Sequence, residues 1–217
     1  MAIYVTGSSG NLGGLFLKFL LKKNYKCYAS YRKKKFILDK NSNVNYLKID
    51  LSKKTNILNR EIETICHFAN ITSVKKKQNI LSKNLTINKN IIQFIKKNKS
   101  IRKVIFISSV RVYGEENTGL INEKIKYINK DQYGYSKYKS EELFRNLKNV
   151  KIYILRIPGI LNQNSKNDFI SSLVRSISLN QEKVIYNKFN LFNNALLMED
   201  LSKFLLNLIK NNYKSGT

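Results

Sequence analysis

The stretch DQYGYSKYKSEE, residues 131–142, holds two overlapping Tyr-x-x-x-Lys pairs, Tyr133 with Lys137 and Tyr135 with Lys139. A phenol ordinarily keeps its proton at neutral pH, with a pKa of about 10. An ammonium group one helical turn away favours the phenolate and lowers that value. Such a tyrosine can give or take a proton at a hydroxyl or carbonyl oxygen. A serine at a neighbouring strand end can hold the same oxygen, and FISSVRVYG offers Ser108 and Ser109 for that task.

A second group of residues points to a phosphate-bearing partner for this chemistry. TGSSGNLGG spaces Gly7, Gly10 and Gly13 as G-x-x-G-x-x-G, between an apolar strand and a helix. Glycine permits the tight turn and close backbone approach, and the helix N-terminus aims amide donors at an anion. Gly13 lets the helix sit close to the sheet. The pattern is that of a dinucleotide cradle, and a nicotinamide would supply the hydride for which the tyrosine moves the proton. An acid is expected about 20 residues further on, to hold the ribose hydroxyls. That place reads ASYRKKK, with Arg32 and Lys33 instead. Cations attract a 2′-phosphate, so the sequence predicts NADP in preference to NAD. Asp50 in KIDLS ends a later strand, where it can meet the adenine or simply close a turn.

These residues need a scaffold, and the chain alternates strand and helix. Strands are predicted at 2–6, 26–31, 45–50, 64–69, 103–109 and 151–157, with helices at 12–23, 85–98 and 132–148. Short continuous apolar strands are the mark of a buried parallel sheet. The alternation predicts an α/β fold, a Rossmann-type doubly wound parallel sheet. After Pro158 the pattern is less regular, with helices near 167–179 and 199–211 and a strand candidate KVIY at 183–186. We read residues 1–217 as a single domain, with 1–157 as the dinucleotide-binding core and 158–217 as a short substrate-binding portion.

The helix over 132–148 decides between the tyrosines. At about 100° per residue, Tyr133, Ser136, Lys137, Ser140, Phe144 and Leu147 share a face. That face is apolar at its far end and can lie on the sheet. Tyr135, Lys139, Glu142 and Asn146 fall on the opposite, solvated face. The pair expected to do chemistry is Tyr133 and Lys137.

Composition limits the alternatives. Lys+Arg number 40 against 14 Asp+Glu, a formal charge of +26. That excess fits a nucleic-acid or membrane partner, or a genome rich in Lys, Asn and Ile codons. The lysines are spread along the whole chain, which favours the second account. Cys27 and Cys66 lie in apolar runs and read as buried thiols of a reducing compartment, the cytoplasm. No apolar run reaches the roughly 18 residues of a membrane span. The chain opens directly with a strand, so no signal peptide is expected, and no metal-binding spacing is present.

Taken in order, TGSSGNLG, HFAN (67–70), SSVRVYG, YGYSK, LRIPGI (155–160) and LLMEDLSKFL (196–205) resemble the motifs of the extended short-chain dehydrogenases/reductases. The resemblance is to their NAD(P)-dependent sugar epimerase/dehydratase family, over nearly the whole chain. It implies that the turn Gly7, Ser9, Gly10, Asn11, Leu12 and Gly13 holds the pyrophosphate, and that Asp50 and Leu51 meet the adenine end, near Arg32. It implies Ser109, not Ser108, as the substrate-oxygen serine, Tyr133 as acid/base, and Lys137 also on the nicotinamide ribose. His67 is expected to be structural. Val110 and Arg111 stand where the family's dehydratases carry Asp-Glu, so dehydration is not expected. Asn70 replaces a small residue. The final SGT resembles the start of a strand that family members continue. The implied activity is that of an NAD(P)-dependent oxidoreductase or epimerase on a nucleotide-linked sugar, and the family implies a homodimer. The alternative is a non-catalytic NADP-binding or RNA-binding scaffold, with the charge serving phosphate affinity. No RNA-binding motif is visible, and nucleic acid is the lesser expectation.

Overall fold

The structure, a computed structural model, describes residues 1–33, 43–53, 61–72, 79–114, 122–123, 131–162, 169–182 and 195–217. Six strands form one sheet: β1 Ala2–Thr6, β2 Cys27–Tyr31, β3 Val44–Lys48, β4 Ile62–His67, β5 Lys103–Ser109 and β6 Lys151–Ile157. Their order is β3-β2-β1-β4-β5-β6, and every pairing is parallel. The chain winds outward from β1 to β3, then returns to β4 and winds the other way. The carboxyl ends of β1 and β4 therefore flank the crevice where such sheets take ligands.

Alternation along the strands divides the core in two. Ile3, Val5, Ile105 and Ile107 face one layer, with Phe16, Leu17, Leu20 and Leu21 of α1 (Asn11–Lys22) and Leu201, Leu205 and Leu208 of α5 (Met198–Lys210). Tyr4, Val104 and Phe106 face the other, with Ile87, Ile91 and Phe94 of α2 (Ile80–Lys97) and Phe144 of α3 (Gln132–Arg145). Burying each such side chain contributes about 1.5–3 kcal/mol. Cys27 and Cys66 are free and buried, as expected.

Helix α2 starts five residues before the expected Leu85, because the Asn79 side chain accepts the Ser82 N–H at 2.9 Å and caps an extra turn. Beyond β6, β7 Gly159–Leu161 pairs in parallel with β8 Ala195–Leu197, a small sheet the irregular pattern after Pro158 did not reveal. Helix α4 spans Phe169–Ser178. The candidate strand KVIY falls outside the described residues.

The C-terminal end of α5 is fastened to the sheet. Lys103, at the start of β5, is buried, and its Nζ donates to the carbonyls of Leu208 at 2.7 Å, Ile209 at 2.6 Å and Asn211 at 2.7 Å. Gly216 then bonds alongside β6, its N–H to Ile152 O at 3.1 Å and its carbonyl from Ile154 N–H at 3.0 Å. Among the described residues no helix is long and apolar enough to cross a membrane, and no cluster of His, Cys, Asp and Glu could hold a metal.

Candidate active site

The glycine turn closes directly over the end of β1. Gly7 has φ +65°, and a Cβ there would lie 2.9 Å from Ala69 Cα. A Cβ on Gly13 would lie 2.5 Å from Gly7 O, so α1 abuts the turn only because that residue is glycine. Gly10 is the N-cap of α1; no side chain caps the helix and no acid stands in its first turn. The first amides of α1 are thus left for an anion. Ser9 and Asn11 are exposed beside them, and half-buried Leu12 packs on the core. These features fit the pyrophosphate of a dinucleotide.

Thr6 ties this turn to the neighbouring strand. Its Oγ1 accepts the N–H groups of Phe68 at 3.1 Å and Ala69 at 3.2 Å, and donates to His67 Nδ1 at 2.7 Å. His67 Nε2–H in turn donates to Asn88 Oδ1 at 2.7 Å. Asn88 passes the chain to Ser140 of α3 at 2.6 Å. Burial, aided by the charge of Lys137, pushes the His67 pKa down to about 3, and the Asn88 bond only partly opposes it. His67 is therefore a neutral structural group, as the sequence suggested. Beside it, the buried Asn70 Nδ2 has no hydrogen-bond partner among the described residues. An orphaned donor at the mouth of the crevice also suits a bound polar ligand.

The adenine end is marked by the tips of β2 and β3. Asp50 Oδ1 accepts from Ser52 N–H at 3.0 Å and Ser52 Oγ at 2.7 Å, closing a turn. Those bonds, helped by the charges of Arg32 and Lys53, hold its carboxyl below the usual range against the effect of burial. Arg32 thus stands within electrostatic reach of Asp50. The Leu51 side chain is in the core, and its carbonyl accepts from Asn90 Nδ2 at 2.9 Å.

Two strands from the turn, about 10 Å across the sheet, β5 ends in the two serines. Ser108 Oγ donates to the buried Glu141 carboxylate at 2.5 Å, so it is committed to the interior. Ser109, at the strand tip, is half-buried, and its Oγ accepts the Arg111 N–H at 3.2 Å as the following 3-10 turn Val110–Tyr113 begins. Of the two, Ser109 stands where a ligand can reach it.

Helix α3 presents the face expected of it. Ser136, Lys137, Ser140 and Phe144 are buried and Tyr133 is half-buried. Lys139 instead pairs with Glu142 at 2.9 Å and lies over the Tyr135 ring, on the outer side. Asp131 caps the helix, accepting from Tyr133 N–H at 3.3 Å and Gly134 N–H at 3.0 Å. Its carboxylate also takes Arg111 Nε at 2.8 Å.

The electrostatics differ from the simple expectation. Lys137 Nζ donates to Ile107 O at 2.6 Å and lies 5.8 Å from the Tyr133 ring centre. Burial lowers the Lys137 pKa to about 7, with Glu141 opposing. Burial raises the Tyr133 phenol to about 12; the charge of Arg111 works against that rise and Asp131 adds to it. The lowering expected from Lys137 is absent because that lysine, its own pKa lowered to about 7 by burial, carries no charge where the phenol titrates. Sequence reasoning also missed the group beneath the site. Glu141 takes Arg156 through Nε at 3.0 Å and NH2 at 2.7 Å, and Arg145 at 2.9 Å. The signal was there: Glu141 is one turn past Lys137, and Arg156 interrupts an apolar strand.

A doubly wound parallel sheet with a glycine cradle at its first turn defines a Rossmann-type dinucleotide-binding fold. The chain belongs to the NAD dependent epimerase/dehydratase family, whose model matches residues 3–215. No curated protein matches the sequence. Among solved structures, UDP-glucuronic acid 4-epimerase from Bacillus cereus, in complex with UDP-glucuronic acid and NAD, is similar at 21% identity and TM-score 0.83, over 99% of this chain and 74% of that one. UDP-N-acetylglucosamine 4-epimerase from Methanobrevibacter ruminantium, in complex with UDP-N-acetylmuramic acid, is similar at 20% identity and TM-score 0.81, over 99% and 74%. The Bordetella bronchiseptica enzyme WbmH, in complex with NAD+, is similar at 12% identity and TM-score 0.81, over 99% and 73%. At these identities the likeness is one of fold.

Proposed function

We propose that this protein is an NAD(P)-dependent epimerase or reductase acting on a sugar carried by a nucleotide. The observation that carries the reading is the placement of Ser109, Tyr133 and Lys137 at the carboxyl end of the sheet that also bears the Gly7–Gly13 cradle. A bound nicotinamide would supply hydride transfer at a carbinol carbon of the sugar. Ser109 holds the oxygen on that carbon, and Tyr133 takes or returns its proton. Lys137, released from Ile107 O, holds the nicotinamide ribose and lowers the phenol pKa. The amides of the α1 N-terminus hold the pyrophosphate, with Ser9, Asn11 and Leu12 lining the turn. Asp50 and Leu51 border the adenine.

Arg32 favours the 2′-phosphate of NADP, although two of the similar solved structures named above carry NAD. Asp50 beside it is the competing influence, since a carboxylate repels that phosphate. Residues 1–157 serve as the cofactor core and 158–217 as a sugar-binding part. Location in the cytoplasm agrees with the two free thiols, and a homodimer is the assembly we expect.

Titrating the protein with NADPH and NADH, followed by nicotinamide fluorescence in salt that suppresses nonspecific binding, tests the cofactor assignment. Saturable binding tighter for NADPH is expected; preference for NADH would remove Arg32 from the argument. Tyr133→Phe is expected to abolish turnover of a UDP-sugar with cofactor affinity kept, while Tyr135→Phe changes little. Equal losses in both variants would overturn the assignment to the buried face. Binding of RNA with strong salt dependence and no turnover would favour the scaffold reading instead.

A further inference from the structure

We propose that the side-chain amide of Asn70 is a cofactor-binding group that donates to a ribose hydroxyl oxygen on the nicotinamide half of the dinucleotide. This rests on the dinucleotide reading above and adds to it a contact outside the glycine cradle. Asn70 lies between the two parts of the site. The residue before it, Ala69, backs the cradle, since a Cβ on Gly7 would meet the Ala69 Cα at 2.9 Å. The residue after it, Ile71, is clamped by the buried Asn84 of α2. Asn84 Oδ1 accepts the Ile71 N–H at 2.8 Å, and its Nδ2 donates to the Ile71 carbonyl at 3.1 Å. The same Nδ2 donates to Ser136 Oγ at 3.0 Å, beside Lys137 in α3. The backbone on either side of Asn70 is therefore held against the cradle and against the helix of Tyr133.

The hydrogen-bond chain fixes which way the amide faces. Thr6 Oγ1 accepts two backbone N–H groups, so its own proton goes to His67 Nδ1, and His67 Nε2–H donates to Asn88 Oδ1. Asn88 Nδ2 then donates to Ser140 Oγ at 2.6 Å and to Asn70 Oδ1 at 3.4 Å. The Asn70 oxygen is thus turned to Asn88, and its NH2 group points elsewhere. That Nδ2 is buried and has no hydrogen-bond partner among the described residues. An unpaired buried donor is costly and rare in native proteins. It calls for an acceptor oxygen, not for a cation or an apolar group. The charge of Lys137 reaches His67 in this same network, so the acceptor belongs at the end of the cofactor that Lys137 meets, its nicotinamide ribose. The competing account is that Asn70 serves only to receive the Asn88 bond.

Calorimetric binding of ADP and ADP-ribose separates these accounts, since both carry adenosine and a diphosphate and only ADP-ribose carries the second ribose. Asn70→Ala is expected to weaken ADP-ribose and NADPH about 2- to 10-fold, the range of one neutral hydrogen bond, and to leave ADP unchanged. Retained ADP binding shows at the same time that the variant is folded and its cradle intact. Asn70→Asp keeps the shape and the oxygen toward Asn88 but has no NH2 group. It is expected to lose ADP-ribose over ADP by at least the same ratio. ADP-ribose affinity unmoved in Asn70→Ala overturns the proposal in favour of the purely structural account. Equal weakening of ADP and ADP-ribose also overturns it, because the second ribose would then add nothing. Either result leaves the dinucleotide reading standing. Failure of the wild-type protein to bind NADPH or NADH overturns that reading and this one with it.

Discussion

The protein's single histidine is a sensitive reporter of how its site is held. His67 is buried between Thr6 and Asn88, and its pKa is depressed to about 3. The unfolded chain takes up a proton near pH 6.5, whereas the folded chain does not until about pH 3. The unfolded state therefore binds more protons through that window. Stability supplied by this group is complete above pH 6.5 and declines as the pH falls toward 3. The ring proton resonances should stay fixed in NMR spectra from pH 7.5 to about pH 4.5, while a histidine of ordinary pKa would titrate in that range. Movement centred near pH 6.5 would show that the ring meets solvent. At this scale the sequence was informative where spacing is local: the three glycines and the Tyr133–Lys137 pair declare themselves within a turn. The Glu141–Arg156 pair did not, since its partners lie on a helix and a strand that only folding brings together. The raised phenol of Tyr133 was equally hidden, because it depends on how deeply both the ring and the Lys137 amine are buried.

At the scale of elements, the periodicity of α3 put Tyr133 on the face that buries Ser136, Lys137, Ser140 and Phe144, while Tyr135, expected in solvent, is half-buried as Tyr133 is. The strands were legible because parallel strands buried on both faces must be apolar along their length. Element ends were less so: the start of α2 depends on a cap from Asn79 that lies outside the apolar pattern. The β7–β8 pair joins segments over 30 residues apart, and each is only three residues long, too short for a period to show. Contact between α1 and the glycine turn supplies the test at this scale. Gly13→Ala puts a methyl 2.5 Å from a backbone oxygen that cannot swing away. The helix must move off the turn, at a cost of about 1–3 kcal/mol for overpacking. Urea denaturation should show that loss, and NADPH titration should show binding weakened by about tenfold or more, since the displaced amides no longer converge on the pyrophosphate. An unchanged affinity would mean that the phosphates are held elsewhere.

The whole molecule carries a formal charge of +26 on 217 residues. Self-repulsion of that size opposes the compact state and is screened by salt. The thermal midpoint is expected to rise as sodium chloride goes from about 50 to 500 mM, where the Debye length falls severalfold. A midpoint that falls instead would mean that the 14 acids form attractive pairs outweighing the general repulsion.

The fastening of Lys103 sets the order in which this chain can be completed during synthesis. Its ammonium is satisfied by carbonyls of residues 208, 209 and 211, and the outer edge of β6 by Gly216. More than a hundred residues must leave the ribosome after Lys103 before that charge finds its acceptors. Until then the middle of the sheet holds a lysine that must stay hydrated, and β5 cannot settle fully against the α5 layer. A nascent chain stopped short of residue 208 should therefore remain open to proteases at β5. Resistance should appear abruptly once α5 and the residues to 216 have emerged, since only then are the acceptors of Lys103 and the partner of β6 in place.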